Sequence, residues 1–183
     1  MRQRTRLANR TIDQDTPDGL PELFGVPVSI KDTIDMKGMS STIGATARYD
    51  LKQPDDGNIV KVVRKSGMIP FVKSNIPQLA MTFESVNHMW GRATNPWDST
   101  RAVGGSSGGE AAVVAGRCSP IGLGSDLGGS VRIPSEFCGV YSLKPSSLRY
   151  PMKGHTYNIS PTQILRKIHQ REHQHTLDHG ANW

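Results

Sequence analysis

Aromatic residues make up only 6% of the 183 residues, cysteine occurs twice, and no apolar run approaches a membrane span, which takes roughly 20 residues. A spanning helix is thereby excluded by pattern. Cys118 and Cys138 are too few for a disulfide scaffold and lack Cys-x-x-Cys spacing. They read as buried, reduced thiols in keeping with a reducing compartment. Nucleic-acid faces cluster basic side chains among aromatics, whereas here the formal charge of +6 is spread unevenly. Residues 21–143 hold 12 Lys+Arg against 11 Asp+Glu, and residues 144–183 hold 6 against 2. No nucleic-acid partner is expected. The start, Met1-Arg2-Gln3-Arg4-Thr5-Arg6, has no apolar stretch behind it and shows no secretory signal. What remains is a chain with 36% apolar residues and a mean hydropathy of -0.44, long enough to bury one core. The location read from this is intracellular, cytoplasmic or membrane-associated.

Three stretches divide the chain. Residues 1–20 are polar, with room for a short helix near residues 4–12 before Asp13, Asp15, Pro17, Asp18 and Gly19 interrupt it. Residues 21–160 carry alternating α and β patterns. Phe24 to Ile30 reads as a strand that delivers Lys31, residues 55–66 as a helix started by Asp55 and Asp56 and stopped at Gly67, and Met68 to Lys73 as the next strand. That sequence of elements predicts a βαβ unit and a parallel sheet. Ser74 or Asn75 is placed to cap a helix beginning at Pro77, and Trp90 to Thr100 reads as loop. Further on, the pattern predicts a helix over 108–116, a strand over 119–124, a loop over 125–130, a helix over 131–138 and a strand over 140–144. Residues 161–183 are polar and His-rich, without a strand pattern, and read as disordered or as a frayed helix.

Chemistry concentrates in three segments: Gly25-Val26-Pro27-Val28-Ser29-Ile30-Lys31-Asp32, Gly104-Gly105-Ser106-Ser107-Gly108-Gly109-Glu110, and Gly124-Ser125-Asp126-Leu127-Gly128-Gly129-Ser130-Val131-Arg132. Taken singly, each has an ordinary reading: a solvated lysine after a strand, a flexible turn or phosphate loop, a plain loop. The phosphate loop fails because no Gly-Lys-Ser or Gly-Lys-Thr follows the glycines. Serine is a poor nucleophile near neutral pH and needs a base, yet none of these segments holds a histidine. A buried lysine can serve, because exclusion from water lowers its affinity for a proton. Adjacent glycines let successive N–H groups converge on an oxyanion. His169, His173, His175 and His179 lack the carboxylate or cysteine that would complete a metal spacing, so no metal is expected.

The three segments in this order, with Ser130 24 positions after Ser106 and with Arg132-Ile133-Pro134 at the end, resemble the amidase signature family. The resemblance runs from about Gly25 to Ser160 and includes Ser74 to Gln78, Trp90 to Trp97 and Lys144-Pro145-Ser146. It implies a partial amidase signature fold of α/β class, with a mixed, largely parallel central sheet flanked by helices. It implies a Ser-Ser-Lys triad in which Ser130 attacks, Ser106 relays the proton and Lys31 receives it. It also implies a cis peptide between Gly105 and Ser106, an oxyanion hole of N–H groups from Leu127, Gly128, Gly129 and Ser130, and supporting roles for Ser107, Asp126 and Arg132. The implied partner is a small-molecule amide, with no cofactor.

Pro77-Gln78, Thr82-Phe83-Glu84, Glu110 and Leu127 look more like eukaryotic fatty acid amide hydrolases and general amidases than like the glutaminase component of glutamyl-tRNA amidotransferases. A glutaminase of that second type stays open as an alternative. Family members extend well beyond the Lys144 region, so the resemblance implies a truncated chain, and a non-catalytic fragment or interaction module is the rival from another class. Acyl chain, leaving amine, membrane association and oligomeric state are not readable from these residues.

Overall fold

The computed structural model describes residues 19–146, 149–150 and 153–156, and the backbone of 165–170. The expected helix over 4–12 and the tail beyond 170 lie outside the described residues.

Strand β1 runs over Pro27–Lys31, starting later than the alternation from Phe24 suggests. The preceding residues close a turn instead, with Phe24 N–H donating to Pro21 O and Val26 N–H to Leu23 O. From Val28 to Lys31 every residue of β1 is buried, as in a strand covered on both faces. Its two faces differ in kind. Val28 and Ile30 pack with Ile59, Val60 and Val63 of helix α1, Asn58–Lys65. Ser29 and Lys31 point the other way, toward helix α2, Gly108–Ala115.

Strand β2, Ile69–Ser74, lies parallel to β1, so β1, α1 and β2 form the predicted βαβ unit. Asp55 and Asp56 precede α1 rather than open it. Asp56 is spent on tertiary bonds, accepting from Lys37 N–H at 2.8 Å and from Arg64 Nε at 2.7 Å. The helix expected from Pro77 is reduced to one 3-10 turn at Gln78–Ala80, because Leu79 and Ala80 adopt left-handed backbone conformations (φ 56° and 54°) that a right-handed helix does not continue through. Asn75 Oδ1 accepts from Ile76 N–H and Asn87 Nδ2 instead. Strands β3, Val86–Asn87, and β4, Gly91–Arg92, pair as a small antiparallel hairpin whose second strand falls in the expected loop.

Helix α2 reaches the sheet through Gly109, where a Cβ would collide with the Asn75 backbone. Gly109 N–H donates to Asn75 O at 3.0 Å. Beyond α2, strand β5 (Gly122–Ser125) pairs parallel with β1 on the side away from β2. Helix α3 follows at Arg132–Cys138 and strand β6 at Val140–Ser142. A second apolar cluster, Val103, Ala111, Val114, Val131, Cys138 and Val140, joins α2 to α3 and β6.

One strand departs from expectation. No strand is predicted after Gln163, yet Leu165–Gln170 forms β7, antiparallel to both β5 and β6. The sheet order is β2-β1-β5-β7-β6. Backbone pairing with two open neighbours, not side-chain alternation, selects this segment, so the residue pattern carries no sign of it. The cysteine reading also needs correction: Cys138 is buried, but Cys118 is exposed. Among the described residues, no helix is long and apolar enough to cross a membrane.

Candidate active site

Lys31 ends β1 with its side chain fully buried. Its Nζ lies 2.7 Å from Ser106 Oγ and 3.3 Å from Ser125 O. Burial pulls the amine down to about 7, against Asp126, Glu110 and Asp32, whose charges favour the ammonium. An amine poised there is able to accept the Ser106 proton near neutral pH.

Ser106 is buried in the loop before α2, and the Gly105–Ser106 peptide is cis, as the resemblance implies. Ser107 ties this loop to the one after β5. Its N–H donates to Ser130 O at 2.9 Å, its Oγ donates to Ser125 O at 3.1 Å, and it accepts from Ser125 N–H at 3.3 Å. The Lys31, Ser106 and Ser130 segments thus meet at the C-terminal ends of β1 and β5.

Asp126 organises the third segment. It accepts from the N–H groups of Gly129, Val131 and Arg132 at 2.8, 3.0 and 3.1 Å, and from Arg132 Nε and Nη2 at 3.1 and 3.0 Å. Burial alone pushes this carboxyl up, but the bonds from Arg132 and the three N–H groups outweigh it and hold it well below the usual carboxylate range. Of the four N–H groups expected to form the oxyanion hole, that of Gly129 donates to Asp126, whereas those of Leu127, Gly128 and Ser130 find no acceptor among the described residues. Leu127 and Gly128 are exposed and Ser130 is half-buried, so this part of the loop faces open space. No hydrogen bond joins Ser106 Oγ to Ser130 Oγ.

Two residues close to this centre are given no role there by the sequence reading. Glu110, in the first turn of α2, is fully buried and accepts from Ser29 Oγ at 2.6 Å. Its signal is the strand period: Ser29 and Lys31 share one face of β1. His155 is buried, and among the described residues neither ring nitrogen finds a hydrogen-bond partner. Burial pulls it down to about 4, helped by the charges of Lys31 and Lys73 and opposed by Asp35. Its position follows from a bridge to Ile34, a pairing across more than a hundred residues that no local pattern announces.

Beside the centre, a cleft of about 590 Å³ is lined by Asp32, Thr42, Tyr49, Lys73, Asn75 and Trp90, among others, and does not include Lys31, Ser106 or Ser130. Lys73 Nζ is held there by Ser40 O at 3.0 Å, Ser41 Oγ at 2.8 Å and Asp32 at 3.7 Å. Among the described residues, no group of three or more His, Cys, Asp or Glu side chains could hold a metal ion. His173, His175 and His179 lie outside the described residues.

Comparison with known proteins gives concordant similarities. A protein-family profile described as Amidase matches residues 2–168. Fatty-acid amide hydrolase 1 of Sus scrofa is 41% identical over 145 residues, 78% of this chain and 25% of that protein. The Vitamin D3 hydroxylase-associated protein of Gallus gallus is 44% identical over 146 residues, 80% of this chain and 31% of its own length. Among solved structures, a glutamyl-tRNA(Gln) amidotransferase component from Thermotoga maritima superposes with a TM-score of 0.78 at 32% identity, covering 86% of this chain and 35% of that one. A fatty acid amide hydrolase gives a TM-score of 0.78 at 29% identity, covering 82% and 27%. The chain therefore spans about a quarter to a third of the length of the curated relatives it matches.

Proposed function

From the premise that this chain belongs to the amidase family, we propose that it carries the acyl-transfer centre of an amide hydrolase. The observation that carries this reading is the buried Lys31 amine, drawn down to about 7 and 2.7 Å from Ser106 Oγ. In this mechanism neutral Lys31 accepts the Ser106 proton while Ser106 accepts that of Ser130, whose oxygen attacks the amide carbonyl. Ser130 Oγ comes within reach of Ser106 in the working complex, where catalytic hydrogen bonds tighten. The oxyanion meets N–H groups of Leu127, Gly128 and Ser130, which have no acceptor of their own among the described residues. The proton then returns through Ser106 to the leaving nitrogen, and water cleaves the ester on Ser130. Asp126, Ser107 and Arg132 hold the loop in which this happens. The names of the curated relatives support a fatty acyl amide as substrate.

The test is labelling with a fluorophosphonate, which traps serines activated in this way. The protein labels and Ser130→Ala does not; labelling that persists in Ser130→Ala removes the assignment. Hydrolysis of a long-chain primary amide, compared with that of glutamine, separates this reading from a glutaminase.

A further inference from the structure

Glu110 is the buried acid that the mechanism above leaves unused. Three elements enclose it: it projects from α2, Ser29 Oγ of β1 donates to its Oε2 at 2.6 Å, and Gly122 of β5 leaves room for Oε2 where a Cβ would clash. Among the described residues its Oε1 has no hydrogen-bond partner, although Ser74 Oγ is near enough to favour the charged form. A carboxylate with one bare oxygen in a dry site is disfavoured relative to the acid. The nearby charge it feels is the Lys31 amine, two residues from Ser29 on the same strand face. Two opposite ionisable groups in one dry region are least costly when both are charged or both are neutral.

We propose that Glu110 is a positioning residue for the Lys31 base: enclosed beside the strand face that carries Lys31, its carboxylate charge sets the pH at which the amine becomes free to accept. The inference rests on the reading of Lys31 as the base. While Glu110 is a carboxylate, its charge favours the ammonium and the base is blocked; once Glu110 is protonated, the amine loses that support and is free to accept. Burial raises Glu110 and lowers Lys31, each to about 7, so the two groups ionise in overlapping pH ranges. The other ionisable groups that act on Lys31 are Asp126 after β5 and Asp32 after β1, and His155 lies close enough to feel its charge. Asp126 is fixed by five hydrogen bonds, Asp32 accepts from Thr42 Oγ1 and Ile43 N–H and pairs with Lys73, and His155 is neutral above about 4, so Glu110, with one bare oxygen, is the acid placed to change state with Lys31.

The test follows the pH dependence of fluorophosphonate labelling in Glu110→Gln, which keeps the shape and an acceptor for Ser29 but cannot hold a negative charge. Loss of that charge moves the acid limb of labelling down by about one pH unit and narrows it from two overlapping steps to one. Ser29→Ala removes a donor that favours the carboxylate and shifts the limb the same way by less. A uniform loss of labelling with the limb unmoved, in whichever of these variants folds, overturns the inference and leaves Glu110 as packing. A second readout does not need activity: the 13Cε shift of Lys31, assigned through Lys31→Met, titrates lower in Glu110→Gln. If native protein never labels, the function proposed above falls, and this titration still decides the coupling.

Discussion

A lysine side chain wholly removed from water is a liability to the folded state unless the amine is neutral. In the unfolded chain Lys31 has the ordinary value of 10.5, and in the folded protein about 7. Between those values the unfolded chain holds the extra proton, so stability rises with pH across this window. Below about 7 the folded protein carries the full penalty of a buried ammonium. Lys31→Met keeps the packing and removes the charge. It abolishes fluorophosphonate labelling while stabilising the protein on the order of 2 kcal/mol at pH 6, with the gain shrinking toward pH 10. Urea denaturation at pH 6, 8 and 10 measures this. A variant that is inactive and equally destabilised at every pH would mean that Lys31 is held for structure alone.

At the scale of elements, two joints keep the three segments together. Asp126 holds the turn into α3, and Asp126→Asn halves its accepting capacity and leaves the guanidinium of Arg132 unpaired. Loss of charged acceptor bonds of this kind costs about 2 kcal/mol at neutral pH, and the difference from the native protein shrinks as pH falls below the ordinary carboxylate range, where the unfolded chain takes up a proton that the folded Asp126 still refuses. Thermal melts at pH 7 and pH 3 check both halves. Gly109 is the other joint: Gly109→Ala forces α2 away from the Asn75 backbone and, as an overpacking substitution, costs about 2 kcal/mol, read as a lower urea midpoint with weaker labelling. These joints also show what the residue pattern can and cannot report. Lys31 at a strand end, the α1 crossover and the two Gly-rich loops are legible because each is a local pattern: alternation, helical period, glycine runs. Asp56 misleads about the start of α1 because its carboxyl serves Lys37 and Arg64, tertiary partners that no local pattern names. Asp126 is legible as a support of the loop, but its claim on Gly129 N–H is not, since that depends on how the loop closes. The partnership of Glu110 with Ser29 joins residues 81 apart in sequence and is visible only once α2 lies on β1.

For the molecule as a whole, the informative surface is the outer side of β2, the strand at one end of the sheet order. Ile69 and Phe71 alternate there, 40% and 48% exposed. Among the described residues no strand covers the far edge of β2, and an open edge invites another strand, but Pro70 supplies no N–H there, which blunts backbone pairing and leaves the apolar side chains as the adhesive part of the surface. The expected behaviour is concentration-dependent self-association through those side chains and not through strand addition. In sedimentation velocity over a dilution series, Phe71→Lys lowers the association severalfold. A series in which Phe71→Lys associates as strongly as the native chain would locate the adhesive surface elsewhere.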